Sequence, residues 1–155
     1  MRQPHSVQVF LVRVVDDQRS YLLLHRNPRL ELGLPEFWQG VSGALEVGEE
    51  WCDAARREVE EETGIKLNRV FDTGFEYTYP IRAEWRRWYG PDPVNIHERV
   101  CFAFVPAAVT PVLSDEHQSW RWCSPEEAAN LLTFGRNAEG LQAVEVSLAA
   151  ITGSK

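Results

Sequence analysis

The sequence predicts one domain of mixed α and β structure. Three observations carry that expectation. Two short β-rich apolar runs lie close together near the start, one amphipathic stretch spans residues 50–63, and strand-like and then helix-like patterns follow it. A chain of 155 residues has the usual size of a single domain and buries a core without disulfide staples. Its 44% hydrophobic and 11% aromatic content belongs to a folded globular chain.

The elements follow in order. SVQVFLVRVV (6–15) is rich in β-branched residues and SYLLLHR (20–26) is a second apolar run, with the polar break DDQR between them, so the two predict a β-hairpin. NPRLELGLPEFWQG (27–40) has two prolines and two glycines and is expected to be a loop. Over 50–63, at about 100° per residue, Cys52, Ala55 and Val59 fall on one apolar stripe, while Asp53, Arg56 and Glu60 point away from it. Gly64 is the stop signal. LNRVFDTGFEYTYPI and ERVCFAFVPAAV read as strands on either side of a second expected loop, WRRWYGPDPVNIH. SPEEAANLL is a short helix with Ser124 as N-cap, Pro125 at the first helical position and Glu127 closing a capping box. AEGLQAVEVSLAAI predicts a C-terminal helix. No repeat or linker divides the chain, so residues 1–155 are read as one domain.

Composition excludes several function classes. A net charge of −7 argues against a nucleic-acid surface, which needs clustered Lys and Arg. No apolar run approaches the roughly 20 residues that cross a bilayer. The start, MRQPHSVQVF, has no charged segment followed by an apolar one, so the expected location is the cytoplasm. Cys52, Cys101 and Cys123 are odd in number and widely spaced, which predicts reduced, small core residues rather than a disulfide framework or a zinc site. No obligate protein partner is evident, and the oligomeric state is left open.

The stretch with most to explain is GALEVGEEWCDAARREVEEETGI (43–65), which crowds Glu58, Glu60, Glu61 and Glu62 together. Like charges four apart on a helix cost roughly 0.2–0.5 kcal/mol per pair. Taking Glu58 as reference, Glu62 lies about 40° to one side and Glu61 about 60° to the other. The three border the apolar stripe, and Glu60 falls outside their arc. Carboxylates gathered beside a core suit hard cations such as Mg²⁺ or Mn²⁺, which keep several waters and complete their shell with substrate phosphates.

Gly43, five residues, Glu49, seven residues, then Arg57-Glu58-Val59-Glu60-Glu61-Glu62-Thr63-Gly64-Ile65 matches the Nudix box at every defining position. The chain therefore resembles the Nudix hydrolases. The resemblance implies an α/β/α sandwich with a mixed central sheet, the box forming a loop–helix–loop over 43–65. It also implies hydrolysis of a phosphoanhydride in a small phosphorylated substrate, with Mg²⁺ (or Mn²⁺) as cofactor. Carried onto this sequence, Glu58 and Glu62 would be the main metal ligands with Glu61 assisting, Arg57 would orient a box glutamate, and Glu49 would support the site.

Outside the box, FWQGVSGALEVGE, WYGPDPVNIHERVCFAF, SDEHQSWRWCSPEEAANL and FGRNAEGLQAV resemble runs of the family's dihydroneopterin triphosphate (dATP) pyrophosphohydrolase branch. That likeness implies Glu116 as a further metal ligand, with Glu116 and Glu61 both open as the general base. It implies substrate contacts from Arg26, Ser42, Gly43 and Asn137. LELGLP is an insertion relative to the branch, and GFEYTYPIRAEW is shorter and different in composition. Phe75, Tyr77, Tyr79 and Trp85 would either stack on a ring or belong to the core. His97 and His117 read as structural or solvated, since hard cations prefer oxygen, and Trp38 reads as packing. The implied reaction takes a nucleoside or pterin triphosphate to its monophosphate plus pyrophosphate. The alternatives are ADP-ribose or a dinucleoside polyphosphate as substrate, and a non-catalytic nucleotide-binding module.

Overall fold

In the computed structural model, which describes residues 2–152, the chain begins with the expected hairpin. β1 (His5–Val15) and β2 (Gln18–Arg26) pair antiparallel with only Asp16 and Asp17 between them. Both aspartates have positive φ, 51° and 63°. This is the two-residue left-handed turn whose twist suits antiparallel strands, and a short polar side chain tolerates it.

β1 organises the sheet by changing partner midway. Residues 6–9 pair antiparallel with β4 (Val41–Ala44), and residues 11–15 pair with β2. Along its other edge β1 pairs parallel with β6 (Asn95–Phe104), which pairs antiparallel with β5 (Phe71–Pro80). β3 (Phe37–Gln39) and β7 (His117–Cys123) both pair with β2, giving a seven-stranded mixed sheet.

Strand alternation sends β1 side chains to two cores. Val7, Val9 and Leu11 pack with Ala54, Ala55 and Val59 of α1 (Trp51–Thr63). Phe10 and Val12 pack with Ala128 of α3 (Pro125–Leu131) and with Leu141 and Val144 of α4 (Asn137–Thr152). Both faces of β1 are buried, so its sequence reads as a nearly continuous apolar run. The result is the expected α/β/α sandwich. Two alanines on α1 let the helix lie close to the sheet, and Gly64 ends it at φ 72° with its N–H on the Glu60 carbonyl. The capping box of α3 forms between Ser124 and Glu127 as its residues require.

Several boundaries differ from the sequence expectation. The expected loop 27–40 contains a 3-10 turn (Leu30–Leu32) and β3. The expected loop 85–97 contains α2 (Arg86–Tyr89) and the first residues of β6, so that strand runs over 95–104 rather than 98–109. β7 has no periodic signal because Gln118, Ser119, Trp120 and Arg121 are all exposed, leaving only its ends buried. Cys101 and Cys123 are buried, Cys52 partly so, and all three are free. Among the described residues no helix is long and apolar enough to cross a membrane.

Candidate active site

The loop before α1 is fastened to the helix by Arg57. Its Nε and Nη2 form a fork on the Glu49 carboxylate at 2.8 and 2.9 Å, and Nη2 also donates to the Ala44 carbonyl at 2.8 Å. Nη1 donates to Glu58 at 2.7 Å and to Glu61 at 3.2 Å. Glu49 in turn accepts the Glu46 N–H at 2.9 Å, and Arg57 holds its carboxyl below the usual range. A planar guanidinium suits this task because its donors diverge in one rigid plane.

Gly43 has a structural reason. A Cβ there would run into the Glu58 carboxyl group, so any other residue would push that carboxyl out of its place against β4. The space left by the missing side chain is filled by Glu58, while the Gly43 backbone still lines the cleft described below. Burial pushes Glu58 up to about 7 against the opposing pull of Arg57.

Glu62 is 3% exposed, and neither of its oxygens receives a hydrogen bond from the described residues. Burial first, and then the facing carboxylate of Glu116, push its pKa up to about 10. Glu116 moves the other way, lowered chiefly by the Glu62 carboxyl that faces it. The two acids therefore act as a pair with the proton on Glu62. Their oxygens and a ring nitrogen of His117 lie within 4.8 Å of one another. A buried carboxylate without a donor, set against a second carboxylate, is costly unless a cation sits between them. The orphaned oxygens of Glu62 fit a hard divalent cation.

The expected set of acids is thus brought together unevenly. Glu62 and Glu116 converge, Glu58 is engaged by Arg57, and the Glu61 side chain is 56% exposed. His117 is buried against the acid pair rather than solvated, and burial lowers its pKa to about 4, leaving a neutral ring at pH 7. Its Nε2 lies 3.2 Å from the Gln39 amide nitrogen, and its Nδ1 has no partner. Its position directly after Glu116 was the available signal. His97 is half exposed beside Glu76, and Trp38 stacks on His25 at 4.6 Å.

Of these groups, Arg57, Glu58 and Glu116 open onto a cleft of about 1010 Å³, lined by residues of β2, β4, β5 and β6. Arg26, at the end of β2, lines it with a buried Nε that lacks an acceptor, and its charge reaches both Glu62 and Glu116. Ser42 and Asn137 also line it, as do Tyr77, Tyr79 and Trp85, whereas Phe75 packs in the core. Trp85 Nε1 donates to the Leu32 carbonyl at 3.3 Å and Arg82 to the Gly33 carbonyl at 2.7 Å, so the LELGLP insertion is tied to the segment after β5 as one wall. Glu98, which lies in one of the runs that resemble the branch but is not singled out by the sequence, is a buried carboxylate in the same cleft.

Known proteins resemble this chain over most of its length. The chain is 27% identical over 146 residues to the dihydroneopterin triphosphate diphosphatase of Haemophilus influenzae, covering 92% of this chain and 89% of that protein. The solved structure of the E. coli dihydroneopterin triphosphate pyrophosphohydrolase superposes with a TM-score of 0.73 at 28% identity, over 91% of this chain and 94% of that one. A NUDIX hydrolase structure from Listeria monocytogenes has the same fold, with a TM-score of 0.79 at 23% identity over 96% of this chain and 97% of that one. The NUDIX domain model matches residues 4–143, and the chain belongs to the Nudix family.

Proposed function

We propose that this Nudix hydrolase is a Mg²⁺-dependent pyrophosphohydrolase that converts a nucleoside or pterin triphosphate to its monophosphate and pyrophosphate. The observation that carries the reading is the donor-less Glu62 carboxyl facing Glu116 beside a cleft with an aromatic wall. Glu58, Glu61, Glu62 and Glu116 would hold Mg²⁺ (or Mn²⁺). When bound, such an ion neutralises charge on phosphoryl oxygens and acidifies a water. Arg57 makes five hydrogen bonds, two to Glu49 and one each to Glu58, Glu61 and the Ala44 carbonyl, and so fixes the helix against the loop. Arg26 supplies a buried, acceptor-free donor suited to phosphate oxygens. Glu116, held ionised, and the exposed Glu61 are the two carboxylates able to take a proton from an attacking water. The relatives named as dihydroneopterin triphosphate diphosphatases support the triphosphate reading.

The test is product identity. The protein is incubated with Mg²⁺ and dihydroneopterin triphosphate, dATP, the other nucleoside triphosphates, ADP-ribose and diadenosine tetraphosphate. Pyrophosphate release from a triphosphate, cut by about two or more orders of magnitude in Glu62→Gln, is the expected result. Preferred cleavage of ADP-ribose or of the dinucleotide would overturn the substrate assignment and leave the Nudix chemistry standing.

A further inference from the structure

Glu98 is the cleft's buried carboxylate outside the acidic cluster, and its hydrogen bonds leave it half used. Oε1 accepts from Ser6 Oγ at 2.9 Å, with Ser42 Oγ further off at 3.4 Å. Oε2 accepts from the Tyr77 hydroxyl, with Gln8 Nε2 further off at 3.4 Å. A carboxylate offers about four lone-pair sites, and contacts near 3.5 Å barely qualify as hydrogen bonds. Each oxygen is thus well satisfied once and poorly satisfied once. Glu98 lines the cleft, and each of its oxygens keeps acceptor capacity beyond its one good bond.

The neighbouring amide is fixed in the opposite sense. The Gly40 N–H donates to Gln8 Oε1 at 3.0 Å, a backbone donor that sets which end of the Gln8 amide is which. Gln8 Nε2 must then be the donating end, and it donates to Asn137 Oδ1 at 3.0 Å. With its oxygen taken, Asn137 is left with its Nδ2 donor for anything in the cleft it lines. Glu98 Oε2 and Asn137 Oδ1 share the same Gln8 nitrogen, so acceptor pair and donor are adjacent.

We propose that Glu98 and Asn137, set by Gln8, select the ring of the substrate by accepting two adjacent N–H groups and donating to a neighbouring carbonyl. That pattern complements a 2-amino-4-oxopyrimidine edge, as in guanine or a pterin. It opposes adenine, which turns a ring-nitrogen lone pair toward the carboxylate and an amino group toward the Asn137 donor. Ser6, Gln8 and Tyr77 are positioning residues, because they reach the ring through Glu98 and Asn137. The inference rests on the reading of this cleft as the substrate site, and it narrows the triphosphate class to one kind of ring.

The test separates ring choice from reaction. GMP, IMP and AMP are titrated into the full-length protein with Mg²⁺, and binding is read from tryptophan fluorescence, since Trp85 lines the cleft, with calorimetry in parallel. A site built around paired donors and acceptors discriminates strongly, so GMP should bind at least ~10-fold tighter than AMP, with IMP, which lacks the amino group, between them. Glu98→Gln puts a donor where two are already presented and should bring GMP down to the AMP level while AMP shifts by less than ~3-fold. If that variant fails to fold, Asn137→Asp keeps the Gln8 bond, replaces the donor with an acceptor and should likewise abolish the GMP preference. Equal or tighter binding of AMP, an unchanged ratio in the folded variants, or no binding of any of the three would overturn the proposal. Turnover of GTP and dihydroneopterin triphosphate against ATP completes the test. GMP preference without pyrophosphate from any substrate would sink the reaction and leave the ring choice, whereas equal turnover of GTP and ATP would do the reverse.

Discussion

Replacing Glu62 by glutamine removes a carboxyl that the fold buries without a donor, and the direction of its effect on stability separates a cation site from an ordinary buried acid. Its pKa lies at about 10 in the fold against 4.5 ordinarily. A carboxyl raised in this way contributes stability that is fully present below pH 4.5 and is lost progressively as pH rises toward 10. Each pH unit crossed inside that window costs about 1.4 kcal/mol. With divalent cations chelated, the wild-type protein should lose roughly 3 kcal/mol between pH 6.5 and 8.5, a fall in Tm of about 6–12 °C at this chain length. Glu58, at about 7, adds a smaller decline of the same sign that levels off by about pH 8. His117, lowered to about 4, contributes stability present above pH 6.5 and lost only on acidification, so it is silent over this range. Glu62→Gln should therefore keep only the Glu58 part and melt higher than wild type at pH 8.5. Mg²⁺ at 100 times its Kd restores about 2.7 kcal/mol. It should recover the wild-type loss and leave Glu62→Gln nearly unmoved. Thermal melts across pH, with chelator and with Mg²⁺, decide the matter. A variant that melts no higher than wild type at pH 8.5 in chelator, or that gains as much from Mg²⁺, refutes the reasoning.

Two further substitutions test the support around that carboxyl. Gly43→Ala forces the Glu58 carboxyl aside and should lower turnover by about 10-fold or more while costing roughly 1–3 kcal/mol of stability, and wild-type kinetics in a folded variant would contradict the packing argument. Arg57→Lys keeps the charge but cannot span Glu49, Ala44 and Glu58 together, so turnover should fall by about 10- to 100-fold, with a far smaller change in the melting temperature; equal activity would show that charge alone suffices.

How much of this was legible in the sequence follows from how each signal is encoded. The hairpin, α1 and the capping box of α3 are written in local periodicity and cap chemistry, and they form where those signals lie. β3 is three residues long and exists through its pairing with β2, so nothing within its own length announces it. β7 is exposed along its middle and is likewise held by β2. The same division runs through the site. Helical geometry places Glu58, Glu61 and Glu62 on one arc beside the core and Glu60 outside it. Burial follows that arc for Glu58, Glu60 and Glu62, whereas Glu61 at its edge is exposed. Glu98 lies 33 residues beyond the box and becomes a cleft residue only because β6 runs parallel to β1 with Glu98 opposite Ser6. A pairing across 92 residues leaves no trace in either local stretch. Gly43 was legible as a glycine the pattern demands, but its reason, the volume of the Glu58 carboxyl, needed the packed helix.

β4 links the two chemistries more closely than their separation in sequence suggests. Its four residues are held in register by Val9 opposite Val41 and Gln8 opposite Ser42. Successive strand residues face opposite sides of a sheet, so Ser42 points toward Glu98 while the missing side chain of Gly43 leaves room for Glu58 on the other side. A slip of one residue would exchange those positions, setting a hydroxymethyl group against the Glu58 carboxyl and leaving Glu98 without its weaker partner. Val41, buried against α1 and opposite Val9, opposes that slip, since the same shift would turn an apolar side chain out of the core. The register of this short strand therefore governs the carboxylate held by Arg57 and the ring contact proposed for Glu98 at once. A substitution that strains β4 should raise KM and lower kcat together, which neither Glu62→Gln nor Glu98→Gln is expected to do alone.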